Sequence, residues 1–182
     1  MRELKYHEKK LLKKVDFLQW RKEKDRRDLR IIRTYFLQDP EDYHKYNKLV
    51  GNMRILAARI TMLPAKDPYR HKMESQILSK LYDMGLLELD TKFSDVQNKL
   101  TVSAFCRRRL AVVMVRLKMC QYLKMAVTYI EQGHVRVGVD TITDPAYLVV
   151  RHMEDYVTWV DSSKIKRHVM RYNDELDDYD ML

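Results

Sequence analysis

Hydrophobic positions recur at helical spacing through about the first 130 residues and then switch to alternation. Leu4, Leu11, Leu12, Val15 and Leu18 share one helical face, with Lys9, Lys10, Lys13 and Lys14 beside it. The mixed charges of RKEKDRRDLR after Trp20 favour solvent. Asp39-Pro40 reads as a turn and helix start, since proline fits the first helical turn. The following run, EDYHKYNKLVGNMRILAARITML, puts Leu49, Met53, Leu56, Ala57 and Ile60 near one face, flanked by Arg54 and Arg59. Gly51 is an imperfection in that helix rather than a certain break. Pro64–Pro68 is a connection. A further helix from about Tyr69 to Met84 uses Met73, Ile77, Leu78 and Leu81, and Gly85 ends it. Residues 86–105 read as a short linker or irregular segment, with Leu100, Val102 and Phe105 available for packing.

The stretch Cys106–Val137 organises the rest. It predicts two short amphipathic helices meeting at Lys118–Gln121. Leu110, Val113, Met114 and Leu117 form the apolar side of the first, and Arg108, Arg109 and Arg116 project from the other side. Leu123, Ala126, Val127 and Ile130 repeat at i, i+3, i+4, i+7 in the second. Gly133 suits the position just past a helix, where positive φ is common. From His134 the pattern alternates, so His134 and Arg136 point away from the core while Val135 and Val137 face it. Further strands are predicted at Thr141–Thr143, Leu148–Val150 and Tyr156–Val160, with Asp144-Pro145 as a turn. Trp159 reads as core or edge packing rather than a base-stacking platform. Ser162–Arg171 holds KIKRHVMR, a basic turn of helix or tail, before the acidic end NDELDDYDML. That end reads as a solvating tail, with screening of the basic surface as the other reading. The fold class is α+β: a helical N-terminal region, residues 1–105, then two helices packed on a small β-sheet with a basic extension, 106–172, then an acidic tail, 173–182.

Charge adds direction. The chain has 182 residues, 46% hydrophobic and 34% charged, with a net charge of +9. Residues 1–33 alone carry 13 basic and 6 acidic side chains. A polyanionic partner follows, nucleic acid ahead of membrane, although a soluble protein that is merely basic has the same balance. The N-terminal stripe either docks on the rest of the protein or belongs to a basic arm that orders on RNA, and the two are compatible. Cys106 and Cys120 both fall in apolar helical pattern, with no CxxC pair, so reduced, partly buried thiols are expected. No apolar run approaches membrane-spanning length, and the charged start does not resemble a secretory signal. The histidines at 7, 44, 71, 134, 152 and 168 are scattered without metal spacing, and no phosphate-cradling glycine loop or catalytic constellation stands out. A binding protein without cofactor or metal is expected rather than an enzyme.

RRRLAVVMVRL, Ala126–Ile130, QGHVRV and TDPAYLV together resemble the S-four RNA-binding domain family. KYHEKKLLKKVDFLQW, EDYHKYNKL, LYDMGLL, FCRRRL, EQGHVRVG and MEDYVTWVDSSKIKRHV extend the likeness to nearly the whole chain. They are similar to the S-four-type proteins of the U-three small nucleolar ribonucleoprotein. The chain departs from the domain's usual pattern at Tyr122, at Val127 and at Gly138-Val139. The resemblance implies a nuclear, nucleolar RNA-binding protein. Its partners would be U-three small nucleolar RNA, precursor small-subunit rRNA, a phosphoprotein scaffold and other small-subunit processome proteins. Its work would be to promote pairing between the two RNAs and so support early rRNA processing. The candidate RNA-binding residues are Arg107, Arg108, Arg109, Arg116, Lys118, Lys124, His134 and Arg136. The competing reading of the arginines is internal ion pairing. A structural small-subunit ribosomal protein and a protein-scaffold adaptor are the alternative functions.

Overall fold

The computed structural model describes residues 2–14 and 22–175. Val15, Leu18, Trp20 and the acidic end beyond Glu175 lie outside the described residues. Helices α1 (Tyr6–Lys14), α2 (Lys22–Tyr35), α3 (Pro40–Thr61) and α4 (Pro68–Asp83) come first. Short helices α5 (Val96–Lys99), α6 (Val102–Arg107) and α7 (Leu110–Arg116) follow, then α8 (Leu123–Glu131). Strands β1 (Val135–Val137), β2 (Asp140–Thr141) and β3 (Val157–Trp159) precede α9 (Lys164–Tyr172). The sheet is antiparallel in the order β2-β1-β3, with Arg136 opposite Thr141 on one side and Thr158 on the other. The predicted α+β class and the change from helix to strand near Gly133 are both present.

Two apolar clusters hold these elements. The first gathers Leu37, Tyr43, Tyr46, Val50, Ala57, Leu81, Val96, Leu100 and Phe105, from the turn before α3 through α6. Tyr46 and Phe105 stack within it at 5.7 Å. The second gathers Leu110, Val113, Met114, Ala126, Val127, Ile130, Val135, Val137 and Val157. Leu110, Val113, Met114, Ile130 and Val135 are fully enclosed. Burial of such side chains stabilises the fold by about 1.5–3 kcal/mol each. Among the described residues, neither cluster includes one from α1, whose Leu11 and Leu12 are exposed.

Four expectations need correction. The buried face of α3 is set by Tyr43, Tyr46, Val50, Ala57 and Ile60, so Leu49 and Leu56 are exposed. Tyr46 stacks on Phe105, and this contact accompanies the inward turn of that face. Residues 86–105 are more ordered than a linker, because Val96, Leu100, Val102 and Phe105 anchor α5 and α6 in the first cluster. The predicted strand Leu148–Val150 does not join the sheet. It pairs instead with the turn before α7, where Leu110 N–H donates to Tyr147 O and Val149 N–H donates to Arg108 O.

The fourth correction concerns the first predicted helix of the 106–137 stretch. It is broken. α6 ends at Arg107, Arg108 caps it, and Arg109 adopts an extended conformation (φ −63°, ψ 140°) before α7 begins. The break re-aims two arginines that continuous helical spacing sends to solvent. Gly133, at φ +72°, ends α8 as expected. Among the described residues, no helix is long and apolar enough to cross a membrane.

Candidate nucleic-acid interface

The eight candidate side chains occupy several settings. Arg108 is only 5% exposed and Arg109 only 2%. Arg108 donates from Nε and Nη2 to Val149 O, at 2.9 and 2.7 Å, and pairs through Nη1 with Glu154 at 2.9 Å. Its guanidinium lies against Gly85, which at φ +70° leaves room for it. Arg109 donates to Asp42 Oδ2 at 2.8 Å and to the Tyr46 hydroxyl at 3.2 Å. The expectation that both project from the polar side of a helix is therefore overturned. The structure has the competing arrangement, internal ion pairs, and the broken helix is its cause.

These groups form a clasp between the two clusters. Arg109 opens α7 and reaches back to α3. Arg108 ties the turn before α7 to the segment leading into β3. Arg151 donates to Tyr82 O and Leu87 O and lies over the Tyr82 ring at 4.3 Å. Burial, with the like charge of Arg151, lowers the pKa of Arg108. Arg109 is also desolvated, yet its hydrogen bonds to Asp42 and Tyr46 hold its pKa above the ordinary value. Spacing alone does not reveal this clasp. A signal lies in Asp42 and Tyr46 at i, i+4, one face of α3 that offers a carboxylate and a phenol together.

The remaining candidates reach the surface. Arg116 is half-exposed and pairs with Glu154, the carboxylate that also holds Arg108. Arg107, Lys118 and Lys124 are exposed and have no acidic partner among the described residues. Arg107 lines a cleft of about 300 Å³ with Leu86, Leu87, Glu88, Thr91 and Lys99. Lys118 and Lys124 flank the connection between α7 and α8. Lys118 sits at φ +61°, with its N–H donated to Val115 O and the Met119 N–H to Met114 O. That is the left-handed position that closes a helix, usually filled by glycine. Tyr122 stands before α8 without a side-chain cap. Among the described residues, the first N–H groups of α8 have no side-chain acceptor, and Lys124 stands beside them.

His134 and Arg136 belong to a third region. The His134 ring nitrogen Nδ1 lies 3.1 Å from Ser163 Oγ, and that hydroxyl accepts from Ile165 N–H to cap α9. Arg136 donates to Thr158 Oγ1 and to Asp161 Oδ2, at 3.1 and 2.6 Å. Asp161 also accepts from Lys166 at 2.5 Å. Hydrogen bonding from Lys166, together with the charges of Arg136 and Lys166, holds the Asp161 carboxyl below its usual range. Trp159 packs on Tyr129 edge to face at 5.7 Å, as a core-side aromatic. No group of three or more His, Cys, Asp or Glu among the described residues could hold a metal. Cys106 and Cys120 are buried free thiols, with their pKa pushed up to about 11 by burial.

Comparison with known proteins fits this layout. Residues 3–107 match the family model of the ribosomal protein S4/S9 N-terminal domain, and residues 108–155 match the S4 domain. The chain is 57% identical over 180 residues to U3 small nucleolar ribonucleoprotein protein IMP3 of Saccharomyces cerevisiae, covering 99% of this chain and 98% of that one. It is 51% identical to the Homo sapiens protein of the same name, covering 100% and 98%. The small ribosomal subunit protein uS4 of Sulfolobus acidocaldarius is 28% identical over 138 residues, covering 76% of this chain and 77% of that one.

Proposed function

We propose, since this chain belongs to the family of U3 small nucleolar ribonucleoprotein proteins IMP3, that it is a non-enzymatic RNA-binding component of that particle. It acts in the nucleolus. There it holds U3 RNA while that RNA pairs with precursor small-subunit rRNA, and so supports early rRNA processing. The observation that carries this reading is identity above half with proteins of that name along the whole chain. The loop between α7 and α8 supplies the contact chemistry. Lys118, Lys124 and the first N–H groups of α8 face phosphate, with Arg107 and Arg116 as further cations. Arg108 and Arg109 hold that loop's helices in place. RNA is read mainly by backbone and shape, because the major groove of A-form RNA is too narrow for a helix to read bases.

The same particle offers protein partners. Leu11 and Leu12 of α1, Leu49, Ile55 and Leu56 of α3, and Met62 just past α3 are exposed large apolar side chains. Exposed apolar side chains on a helix are candidate contacts for a protein partner, and the phosphoprotein scaffold is the partner we give to these two helices.

The test is a pairing assay with purified chain, U3 RNA and a fragment of precursor rRNA. Wild type accelerates duplex formation. The double variant Lys118→Gln, Lys124→Gln binds more weakly, and its slope of log affinity against log salt falls by roughly 0.7–0.9 for each phosphate no longer neutralised. An unchanged pairing rate with wild type refutes the proposed work. An unchanged salt slope in the folded variant removes this loop from the interface.

A further inference from the structure

The helix α9 carries a cationic face that lies outside the S4-domain match, which ends at residue 155. Lys164, Arg167, His168 and Arg171 stand at i, i+3, i+4 and i+7, so they share one side of the helix. All four are exposed, and none has an acidic partner among the described residues. Lys166 and Met170 lie on a different side and are half-buried. Lys166 is neutralised by Asp161.

The helix is also fixed to the sheet. Ser163 is buried, caps α9 and touches His134 at the start of β1. Asp161 bridges Lys166 of α9 and Arg136 of β1. The two contacts set the orientation of the cationic face relative to β1. Holding charges in register lowers the ordering cost of using them together.

We propose that α9 is a second RNA-contacting element, taking the phosphate backbone of a paired RNA through Lys164, Arg167, His168 and Arg171. This rests on the RNA-binding reading above and adds a contact beyond the α7–α8 loop. The four positions span about 10.5 Å along the helix axis, room for more than one phosphate. An RNA occupant suits the face better than a lipid surface. The apolar residues of α9 are Ile165, Val169, Met170 and Tyr172, and Ile165 and Met170 are already half-buried. An interfacial membrane helix needs a broad apolar face opposite its charges. No residue of α9 is buried, so neutralising the face leaves the core intact.

The experiment uses the full chain and a labelled RNA duplex without U3 sequence, with affinity measured at several salt concentrations. The triple variant Lys164→Gln, Arg167→Gln, Arg171→Gln is compared with Lys118→Gln, Lys124→Gln. The α9 triple is expected to reduce the salt slope by roughly 2–3, since each phosphate left without its cation removes about 0.7–0.9. Affinity at low salt should fall more than about tenfold, with the melting temperature near wild type. A folded α9 triple with wild-type affinity and slope overturns the proposal, while weaker binding by the loop variant keeps the RNA-binding reading. If wild type does not bind RNA, both readings fail together. If the triple binds RNA normally but no longer binds polyglutamate, the face belongs to an acidic protein and the RNA proposal is overturned. Should the triple melt early, the single variants Arg167→Gln and Arg171→Gln carry the test, each expected to remove about 0.7–0.9 of slope.

Discussion

Replacing Asp42 with alanine should destabilise this protein severely, although Asp42 lies 67 residues from its partner Arg109. The Arg109 side chain is 3% exposed and that of Asp42 is 12% exposed. Removing the carboxylate leaves a guanidinium enclosed, with the Tyr46 hydroxyl as its other side-chain partner. Breaking a buried ion pair from one side costs about 3–5 kcal/mol, because the remaining charge keeps its desolvation penalty. For a chain of this size, that lowers the melting temperature by roughly 6–20 °C, at about 2–4 °C per kcal/mol. Removing both charges, as Asp42→Ala with Arg109→Met, restores most of the stability because methionine fills the space without a charge. A double-mutant cycle by urea unfolding should give a coupling of about 2–3 kcal/mol. RNA affinity of the folded Asp42→Ala protein should keep the wild-type salt slope. A single-variant destabilisation under about 1 kcal/mol, with no coupling, contradicts the clasp. It gives Arg109 back to the surface.

Three further outcomes follow. Gly85→Ala should destabilise by at least about 1 kcal/mol, because φ is +70° and the new Cβ falls 2.7 Å from Arg108 Cζ; urea unfolding measures it. Lys118→Gly should raise stability by about 0.5–1 kcal/mol by relieving the left-handed lysine, yet weaken RNA binding; a variant stable but unchanged in affinity removes Lys118 from the interface. Cys106 and Cys120, each with a pKa near 11, stay protonated at pH 8, so a thiol reagent should label neither in the native protein and both after unfolding; fast native labelling contradicts their burial.

Residue types and spacing predict much of the fold. Pro40 opens α3, Gly85 and Gly133 close α4 and α8, and Val135 and Val137 face the core. These are local signals, each decided within a few residues. The clasp is not local. Whether Arg109 meets solvent or Asp42 depends on where the chain breaks between α6 and α7, and the apolar pattern on either side suits a continuous helix equally well. The same limit applies to α3, where two faces carry apolar residues and only packing against Leu81, Leu100 and Phe105 chooses between them. The strand at Leu148–Val150 has the right composition. The Val149 N–H is claimed by Arg108 O in the turn before α7, an acceptor that no pattern within the strand reveals.

The division of arginines has a mechanical consequence. Two of the three consecutive arginines at 107–109 are enclosed, so the basic run that first suggests RNA is mostly a structural joint. The cations left for phosphate lie on elements that this joint orients. α7 begins at the Arg109 contact with α3, and the loop bearing Lys118 follows α7 after two turns of helix. A rigid first turn therefore fixes where Lys118 and Lys124 stand relative to the N-terminal helices and their exposed apolar faces. Loosening the clasp without unfolding the chain should then separate the two activities. An Arg109→Lys variant keeps the charge, but its ammonium ends short of the position of Nη1, the one nitrogen that donates to both Asp42 and Tyr46. It should bind short RNA with a near-normal salt slope, because the phosphate contacts are intact. Pairing of U3 RNA with its target while a scaffold partner is bound should slow, because the two faces no longer share one frame. Equal impairment in both assays would mean that the joint serves stability alone.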